Sequence, residues 1–326
     1  MKILILNKRE VEQLLPMQKC IDLMADALAS LARGEVILPL RPVLRVPDTP
    51  NAFALMPAYS KSLRAIGAKL ITVFPGNHGT DLASHQGAVL LFDSERGNVL
   101  ALIDAASITA IRTAAVSGVA TRLLATKNAS TLAVLGSGVQ ARAHIDAMLA
   151  VRPFKKVLLW SRNADHARDL GENAKREGVE FVVAREAERA VRGADVVCTV
   201  TASREPVLCG EWLRSGAHVN AVGASVPTSR ELDTEAVRRS RVFVDRRESA
   251  LNEAGDLLIP MREGAITENH IVAEIGQLLT GAAAGRKSDG EITLFKSLGL
   301  AVEDLASAQY LYDRAKRDEA GHWAEF

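Results

Sequence analysis

The stretch TLAVLGSGVQA, residues 131–141, decides the fold of this chain. Its apolar run ends at Gly136, and apolar residues with helical spacing follow from 143 to 149. Gly136 permits a sharp turn, Gly138 lets the backbone approach a pyrophosphate, and the small Ala141 lets the helix pack close to the strand. Strand, glycine turn and helix in this order favour a dinucleotide site over the alternative, a glycine-rich turn of an ordinary α/β domain.

Length, charge and composition limit the classes of protein to consider. The chain has 326 residues, enough for about two domains. Its net charge of +1 gives no basic surface for nucleic acid or for an anionic membrane, and no apolar stretch is long enough to span a bilayer. The three cysteines are an odd number, and neither they nor the histidines show metal-ligand spacing. We therefore expect a cytoplasmic protein with no metal, no nucleic-acid partner and no membrane partner.

Two patterns of strands and helices predict two domains. From 131 to 245 strands alternate with helices, which is typical of a parallel sheet. From 37 to 103 short strands are joined by Gly, Pro and Asn turns, which indicates an antiparallel sheet. A long helix at 104–125, with Asp104 as its N-cap, follows that sheet. A tail helix from Lys296 to Lys316 has an apolar face that would pack back on the first domain.

The predicted fold class is therefore α/β, with a central Rossmann-type parallel-sheet domain and a second domain of the α+β class. The central dinucleotide-binding domain is expected to span 119–296. The α+β domain is formed by the N-terminal region and the C-terminal helix, 1–118 and 297–326.

The residues that end the second parallel strand predict the type of cofactor. An NAD-binding domain usually has an acidic residue there, which binds the adenosine ribose. Here the strand ends in Leu159-Trp160-Ser161-Arg162-Asn163, which contains no carboxylate. Ser161 and Arg162 can instead bind a 2′-phosphate, with the guanidinium group stacked on the adenine. This favours NADPH, with NADH as the second choice, over the alternative that Arg162 is a solvated surface residue.

Three cations of the first domain lie in apolar sequence: Arg41, Lys69 and Arg112. Lys and Arg are almost never buried unless they are paired. None of the three has an acidic neighbour in sequence, so together they would suit a pocket for a small carboxylate. The alternative is that each one pairs with a distant Asp or Glu, or extends to solvent.

Several pieces of the sequence, in order and over nearly the whole chain, carry a family resemblance. They are Leu55-Met56-Pro57-Ala58-Tyr59, Ser84-His85-Gln86, Ile108-Thr109-Ala110-Ile111-Arg112-Thr113-Ala114-Ala115, Gly136-Ser137-Gly138-Val139-Gln140-Ala141, Gly210-Glu211-Trp212, Asn220-Ala221-Val222-Gly223-Ala224-Ser225 and Phe295-Lys296-Ser297-Leu298-Gly299 with Val302-Glu303-Asp304. In this order the pieces resemble the ornithine cyclodeaminase/mu-crystallin family.

The resemblance implies roles for domains and residues. The first domain would bind the substrate and join its sheet to that of a second copy in a homodimer. Arg41 and Arg112 would bind the substrate carboxylate, and Lys69 would lie beside the reacting C–N centre. His85 matches a position near the nicotinamide, with a hydrogen-bonded structural histidine as the alternative. The residues expected to bind the cofactor are Gly136, Ser137, Gly138, Val139, Gln140, Ser161, Arg162, Thr199, Thr201, Val222 and Leu298.

Two positions depart from the cyclodeaminases of this family. Those enzymes have a Glu just before the Leu-Met-Pro piece and an Asp two residues after the Gly of the Ala-Val-Gly piece, whereas this chain has Ala54 and Ser225. The Asp is expected to activate water and move protons, which requires a carboxylate with an adjustable pKa. Ser225 therefore argues against cyclodeaminase activity, and would shape the pocket or relay a proton through water.

The sequence thus predicts an NADPH-dependent ketimine reductase whose substrate is a small cyclic imino acid. Δ1-pyrroline-2-carboxylate and Δ1-piperideine-2-carboxylate would be reduced to L-proline and L-pipecolate. One alternative is an ornithine cyclodeaminase or an NAD-dependent, alanine-dehydrogenase-like enzyme of the same fold. The other is a non-catalytic, NADPH-dependent protein that binds a hydrophobic carboxylate in the same pocket.

Overall fold

A computed structural model describes residues 2–77 and 80–325 of the chain, so Met1, His78, Gly79 and Phe326 lie outside the described residues. Contacts between residues divide the chain into two compact units. Unit 1 comprises Met1–Arg112 with Leu300–Phe326, and unit 2 comprises Thr113–Gly299.

The strands form two sheets, one in each unit. In chain order the strands are β1 (Lys2–Leu6), β2 (Val36–Ile37), β3 (Val43–Arg45), β4 (Ala52–Ser60), β5 (Ala65–Val73), β6 (His85–Asp93), β7 (Val99–Asp104), β8 (Thr131–Leu135), β9 (Lys156–Trp160), β10 (Glu180–Val183), β11 (Val196–Thr199), β12 (His218–Ala221), β13 (Ser240–Val244), β14 (Ile271–Glu274), β15 (Ile292–Lys296) and β16 (His322–Glu325).

The helices pack on these sheets. In chain order they are α1 (Lys8–Leu14), α2 (Met17–Ala32), α3 (Ala105–Leu124), α4 (Val139–Val151), α5 (Ala164–Ala174), α6 (Ala187–Arg192), α7 (Thr234–Arg238), α8 (Arg247–Glu253), α9 (Gly255–Arg262), α10 (Ile275–Leu279) and α11 (Ala301–Arg317). Asp104 accepts the N–H of Ser107 at 2.8 Å, as expected for the N-cap of α3. Within residues 2–77 and 80–325, no helix is both long and apolar enough to cross a membrane.

The sheet of unit 1 has the order β16-β1-β7-β6-β5-β4-β2, and β3 also pairs with β4. The run from β7 to β2 is antiparallel, as the turn pattern predicted, whereas β1 and β7 are parallel. Side chains of β4 alternate between buried and half-buried, because successive residues of a strand point to opposite faces. Helix α11 packs against α2 and against β4, β5 and β6, so the predicted return of the tail to the first domain is confirmed.

The sheet of unit 2 has the order β10-β9-β8-β11-β12-β15-β13-β14, and all its pairs are parallel. The chain moves outward in one direction from β8 to β10 and in the other direction from β11 through β12 and β13 to β14, and β15 then returns to lie between β12 and β13. The strand order therefore reverses between β8 and β11, which is the switch point where open α/β sheets bind ligands. The predicted Rossmann-type sheet is confirmed.

The predicted start of the tail helix at Lys296 is wrong. Lys296 ends β15, a strand whose residues are all buried, and α11 begins only at Ala301. A short apolar run that is buried on both faces has no helical or strand periodicity to distinguish the two structures. The same ambiguity explains why the sequence did not reveal that β15 lies between β12 and β13.

Candidate active site

The glycine turn of unit 2 lies at the switch point of the parallel sheet. Gly136 has φ +130°, a conformation that L side chains rarely adopt, and its N–H donates to the carbonyl of Trp160 at 2.8 Å. A Cβ at Gly136 would lie 2.7 Å from the carbonyl oxygen of Val200. Only glycine therefore permits β8 to turn this close to the segment that follows β11.

The start of α4 fits the phosphates of a dinucleotide. Gly138 is the N-cap, no side chain of the described residues caps this end of the helix, and a Cβ there would meet open space. Val139 is 71% exposed although it is apolar, and Gln140 is half-buried. Ser137, Gly138 and Val139, together with Arg142 of α4 and residues of α5, line an open cleft of about 400 Å³. A helix N-terminus with accessible N–H groups favours an anionic ligand, so the residues present fit a pyrophosphate.

The turn predicted to bind the adenosine ribose lies beside the glycine turn. The hydroxyl groups of Ser137 and Ser161 are 2.9 Å apart, so one donates to the other. Arg162 follows Ser161 at the end of β9 and is exposed. Its guanidinium group can therefore reach a phosphate in solvent-facing space.

The other predicted cofactor residues lie at the carboxyl ends of strands, where a buried carboxylate organises two of them. Thr199 and Thr201 donate their hydroxyl groups to Glu231, at 2.9 and 2.7 Å. These hydroxyl groups are thus engaged within the protein. Val222 is half-buried after β12, and Leu298 is buried with its N–H donating to Asp245 at 2.5 Å.

Lys69 and Arg112 have acidic partners that are distant in the sequence, as the alternative interpretation anticipated, and a role for these cations in binding substrate stays a prediction. The ammonium group of Lys69 lies 2.8 Å from a carboxylate oxygen of Asp304. Arg112 donates to Glu303 at 2.7 Å and to Asp304 at 3.1 Å. Both acids lie in the first turn of α11 and are buried, as are the two cations. The cost of burying a charge explains the pairing, since a buried cation needs a counter-charge.

A glycine allows this cluster to form. Lys69 lies on the buried face of β5, two residues from Gly67. A Cβ at Gly67 would lie 2.8 Å from a methyl group of Leu305 and 2.8 Å from the carbonyl oxygen of Leu90, so a larger residue here would crowd both α11 and β6. The approach places Asp304 next to Lys69.

Arg41 belongs to the same neighbourhood. It is half-buried between β2 and β3, and its charge acts on Lys69. Burial, and then the charge of Arg112, lower the pKa of Lys69 to about 8, although Asp304 opposes the shift. Lys69 and Arg112 are therefore paired with two carboxylates, and the charge of Arg41 reaches Lys69 as well. Guanidinium and ammonium groups gathered in this way suit a ligand with a carboxylate.

His85 and Ser225 lie in different units. His85 begins β6 and is exposed, and its Nδ1 lies 3.1 Å from the hydroxyl of Ser84. Partial desolvation and the charge of Lys69 hold the pKa of His85 below its ordinary value, so its ring is mainly neutral at pH 7. Ser225 is exposed after the carboxyl end of β12, in unit 2.

Ala54 lies in the part of unit 1 that holds the cations. Its side chain is on the buried face of β4, and the register pairs Ala54 with Ile71 and Met56 with Lys69. Residues two apart on paired strands share a face, so a methyl group lies diagonally across from Lys69. Among residues 2–77 and 80–325, no group of three His, Cys, Asp or Glu side chains could hold a metal ion.

Sequence reasoning missed four acidic residues and one lysine: Glu303, Asp304, Glu231, Asp256 and Lys296. Glu303 and Asp304 carried a usable signal, because they lie between Val302 and Leu305 on a helix whose apolar residues predict a buried face. Acidic residues on such a face require a cationic partner.

Unit 2 is a parallel sheet with a glycine turn at its switch point, which is typical of a dinucleotide-binding α/β protein. Unit 1 adds a buried ionic cluster. The chain belongs to the ornithine cyclodeaminase/mu-crystallin family, whose sequence profile matches residues 1–319. The family resemblance of the quoted motifs is thereby confirmed.

Curated relatives and solved structures resemble the chain over most of its length. It is 39% identical over 325 residues to a Δ1-pyrroline-2-carboxylate reductase of Bacillus cereus, which covers 99% of this chain and 100% of the relative. It is 42% identical over 290 residues to the ketimine reductase mu-crystallin of Mus musculus, covering 88% and 89%. The structure of Thermococcus litoralis Δ1-pyrroline-2-carboxylate reductase in complex with NADH and L-proline has a TM-score of 0.96 at 38% identity, covering 98% and 99%.

Proposed function

We propose that this protein reduces cyclic ketimines, with Δ1-pyrroline-2-carboxylate and Δ1-piperideine-2-carboxylate as substrates and L-proline and L-pipecolate as products. The observation that carries the proposal is the convergence of Arg41, Lys69 and Arg112 in unit 1, next to a strand face where position 54 is alanine. The cations suit a ligand with one carboxylate. Alanine at position 54 provides no acidic side chain where the cyclodeaminases have a Glu. Family membership and the names of the relatives support it.

We assign the following roles to the residues. Arg41 and Arg112 hold the substrate carboxylate, and Asp304 fixes the orientation of Arg112. Lys69 donates a hydrogen bond at the imine end, and its lowered pKa lets it exchange a proton near neutral pH. His85 contributes a neutral ring beside Lys69. Ser225 shapes the cofactor side or relays a proton through water.

The proposed cofactor is NADPH, with NADH as the second choice. It supplies the hydride, and the protein supplies orientation and charge. The glycine turn Gly136–Gly138 and the N-terminus of α4 bind its pyrophosphate, and Ser161 with Arg162 binds the 2′-phosphate. A relative of known structure is in complex with NADH, so the proposed preference for NADPH rests on Ser161 and Arg162 alone.

We propose a homodimer in the cytoplasm, with the two tasks divided between the domains. Residues 1–118 with 297–326 bind the substrate, and residues 119–296 bind the cofactor. The edge of the unit 1 sheet near β2 and β3 exposes Ile37 and Leu44, at 68% and 62%, which suits contact with a second copy. The three cysteines are free thiols, which fits a reducing compartment.

The deciding experiment compares reduction with deamination. We expect rapid NADPH oxidation with either cyclic imine, and no ammonia from L-ornithine with catalytic NAD⁺. A catalytic carboxylate typically contributes about 10² to 10⁴-fold, so a site with Ala54 and Ser225 makes the deamination cycle too slow to detect. Proline and ammonia formed from ornithine at a rate similar to imine reduction would contradict the proposal.

Two further outcomes would point to the alternatives. NADH-dependent turnover of an open-chain oxo acid with ammonia, without turnover of the cyclic imines, would indicate an amino-acid dehydrogenase. Tight NADPH binding without turnover of any imine would indicate a binding protein. Both measurements use the same purified full-length chain.

A further inference from the structure

Glu231 is a fully buried carboxylate whose four acceptor positions are all used. One oxygen accepts the N–H and the hydroxyl of Thr201, at 2.6 and 2.7 Å. The other accepts the hydroxyl of Thr199 at 2.9 Å and the N–H of Gly223 at 2.7 Å. Because a carboxylate has two acceptor positions per oxygen, this arrangement saturates it.

A second buried pair holds Glu231 itself in place. Asp256, at the start of α9, accepts the N–H groups of Glu231 and Leu232 at 2.7 and 3.1 Å. The other oxygen of Asp256 lies 2.9 Å from the ammonium group of Lys296, which ends β15. Both side chains are fully buried. Glu231 is therefore fixed at its backbone as well as at its carboxylate.

The segments that Glu231 joins lie at the carboxyl edge of the sheet. Thr199 ends β11, and Gly223 follows the end of β12 by two residues. A Cβ at Gly223 would lie 2.1 Å from the carbonyl of Thr201, so these two segments are in direct contact. Val200, between the two threonines, also lies against Gly136 of the glycine turn. Glu231 thus connects the ends of two strands at the edge where α/β sheets bind ligands.

From these contacts we infer that Glu231 is a positioning residue for the nicotinamide end of the cofactor. It acts through the Thr199–Thr201 segment and Gly223, and it does not touch the cofactor itself. The inference rests on the proposed function, because it assumes that a nicotinamide dinucleotide binds at the carboxyl edge. It adds a residue that neither the motifs nor the relatives had indicated.

Glu231→Gln tests the inference, since it keeps the shape of the side chain and replaces one acceptor oxygen with an N–H₂ donor. That donor would face groups that can only donate, such as the N–H of Thr201 or Gly223. Leaving buried donors unsatisfied is costly, so we expect NADPH to bind about ten-fold or more weakly. The second probe is adenosine 2′,5′-bisphosphate, which has no nicotinamide, and its affinity should stay within about two-fold because distant sites act independently.

Asp195→Asn is the matched control. Asp195 is also a buried carboxylate that accepts two backbone N–H groups, those of Ser130 and Thr131 at 2.8 and 2.9 Å. It precedes β11 and therefore lies at the opposite, amino edge of the same sheet. A loss of general stability in unit 2 should affect both variants, whereas a loss of nicotinamide positioning should affect only Glu231→Gln.

Thr199→Val is a milder variant for the case that Glu231→Gln does not fold. It removes one of the four donors and keeps the volume of the side chain. We expect a smaller loss of NADPH affinity, with no change for adenosine 2′,5′-bisphosphate. The fluorescence of bound NADPH, which reports on the nicotinamide, should change in both variants and stay unchanged in Asp195→Asn.

The outcomes separate this inference from the proposed function. A native protein that does not bind NADPH would overturn the proposed function. A native protein that binds NADPH, together with a folded Glu231→Gln variant that binds it equally well, would overturn only the inference. Equal weakening of NADPH and adenosine 2′,5′-bisphosphate would also overturn it, because the role would then be structural.

Discussion

Each unit of this protein contains a buried ionic cluster, and the charges of the two clusters have different kinds of partner. In unit 1, the carboxylates Glu303 and Asp304 bind Lys69 and Arg112, and Arg41 adds a further positive charge nearby. The cluster in unit 2 joins two carboxylates, Glu231 and Asp256, to the single cation Lys296. The unit 1 cluster is thus held together by pairs of charged side chains, whereas Glu231 in unit 2 is bound by hydroxyl and backbone N–H groups.

The comparison indicates that a buried charge can either bind a ligand or hold backbone segments in place. The carboxylate of Glu231 is saturated by hydrogen bonds from its own chain, so it stabilises backbone segments. In unit 1, Lys69 and Arg112 are instead bound by the side-chain carboxylates of α11, and Arg41 adds a positive charge that acts on Lys69. We propose that the carboxylate of the substrate binds beside these cations, so that the unit 1 cluster serves binding.

Substitution of one cation in each cluster should give the largest effects. The unit 1 variant should impair use of the imine, and the unit 2 variant should impair use of NADPH. Arg112→Met should lower kcat/KM for the imine at least ~30-fold while the KM for NADPH stays nearly constant, because truncation of a desolvated charge pair costs about 2–5 kcal/mol. Lys296→Met should raise the KM for NADPH and leave the KM for the imine nearly constant at saturating NADPH. Steady-state kinetics with both substrates varied measures this pattern.

The two variants also control for each other. Removal of one partner of a buried ion pair typically costs about 3–5 kcal/mol of stability, so both should unfold at lower urea concentration by similar amounts. If Arg112→Met weakens NADPH and Lys296→Met weakens the imine, the division of tasks between the clusters is wrong.

Loss of the exposed charge of Arg162 should have a smaller effect on kcat/KM than loss of a buried cation. A hydrogen bond to a charged group contributes about 1.5–3 kcal/mol, so NADPH should exceed NADH by roughly 10- to 100-fold in kcat/KM. Arg162→Ala should remove most of this preference without a loss of stability. Arg168→Ala, on the neighbouring helix α5 and also exposed, is the control and should retain the preference. Equal efficiency with NADH in the native enzyme would contradict a 2′-phosphate site.

The smallest effect concerns pH and the lysine of unit 1. Lys69 loses its positive charge as pH rises through about 8, because burial and Arg112 lower its pKa. If the charged form binds substrate, kcat/KM should fall above that pH, by about five-fold from pH 8 to 9 as the charged fraction drops. Lys69→Arg keeps its charge throughout and should lose this decline, whatever its absolute rate.

The substrate's own protonation affects both enzymes equally, so the ratio of their pH profiles isolates Lys69. A decline of the same size in Lys69→Arg would assign the titration to another group. A decline centred near the ordinary pKa of lysine would show that the ammonium group is better solvated than its burial indicates.

Local patterns in the sequence predicted the framework of both units. The glycine turn at Gly136, the alternation of strands and helices and the antiparallel run around Lys69 each depend on residues close in the chain. Membership of the family was also readable, because its motifs are local. The strand β15 could not be predicted from the sequence, since a buried run such as Ile292–Lys296 lacks the periodicity that separates strand from helix.

The charges of the candidate site could be located from the sequence, but their partners could not. Arg112 pairs with residues 191 and 192 positions away, a distance over which no periodicity operates. Glu231 likewise depends on loops that only the sheet order brings together. Burial of a charge in apolar sequence predicts that a partner exists, and only the three-dimensional fold tells which residue it is.

The position of α11 in the chain has a consequence for how the protein is made. Lys69 and Arg112 are synthesised well before Glu303 and Asp304, with all of unit 2 between them. Domains generally fold as units during synthesis, beginning with those completed first, so unit 2 can close while the sheet of unit 1 still lacks its helix. Until α11 emerges from the ribosome, burying either cation is unfavourable. A premature stop before Glu303 should therefore leave a protein that can complete unit 2 but cannot bury the two cations of unit 1.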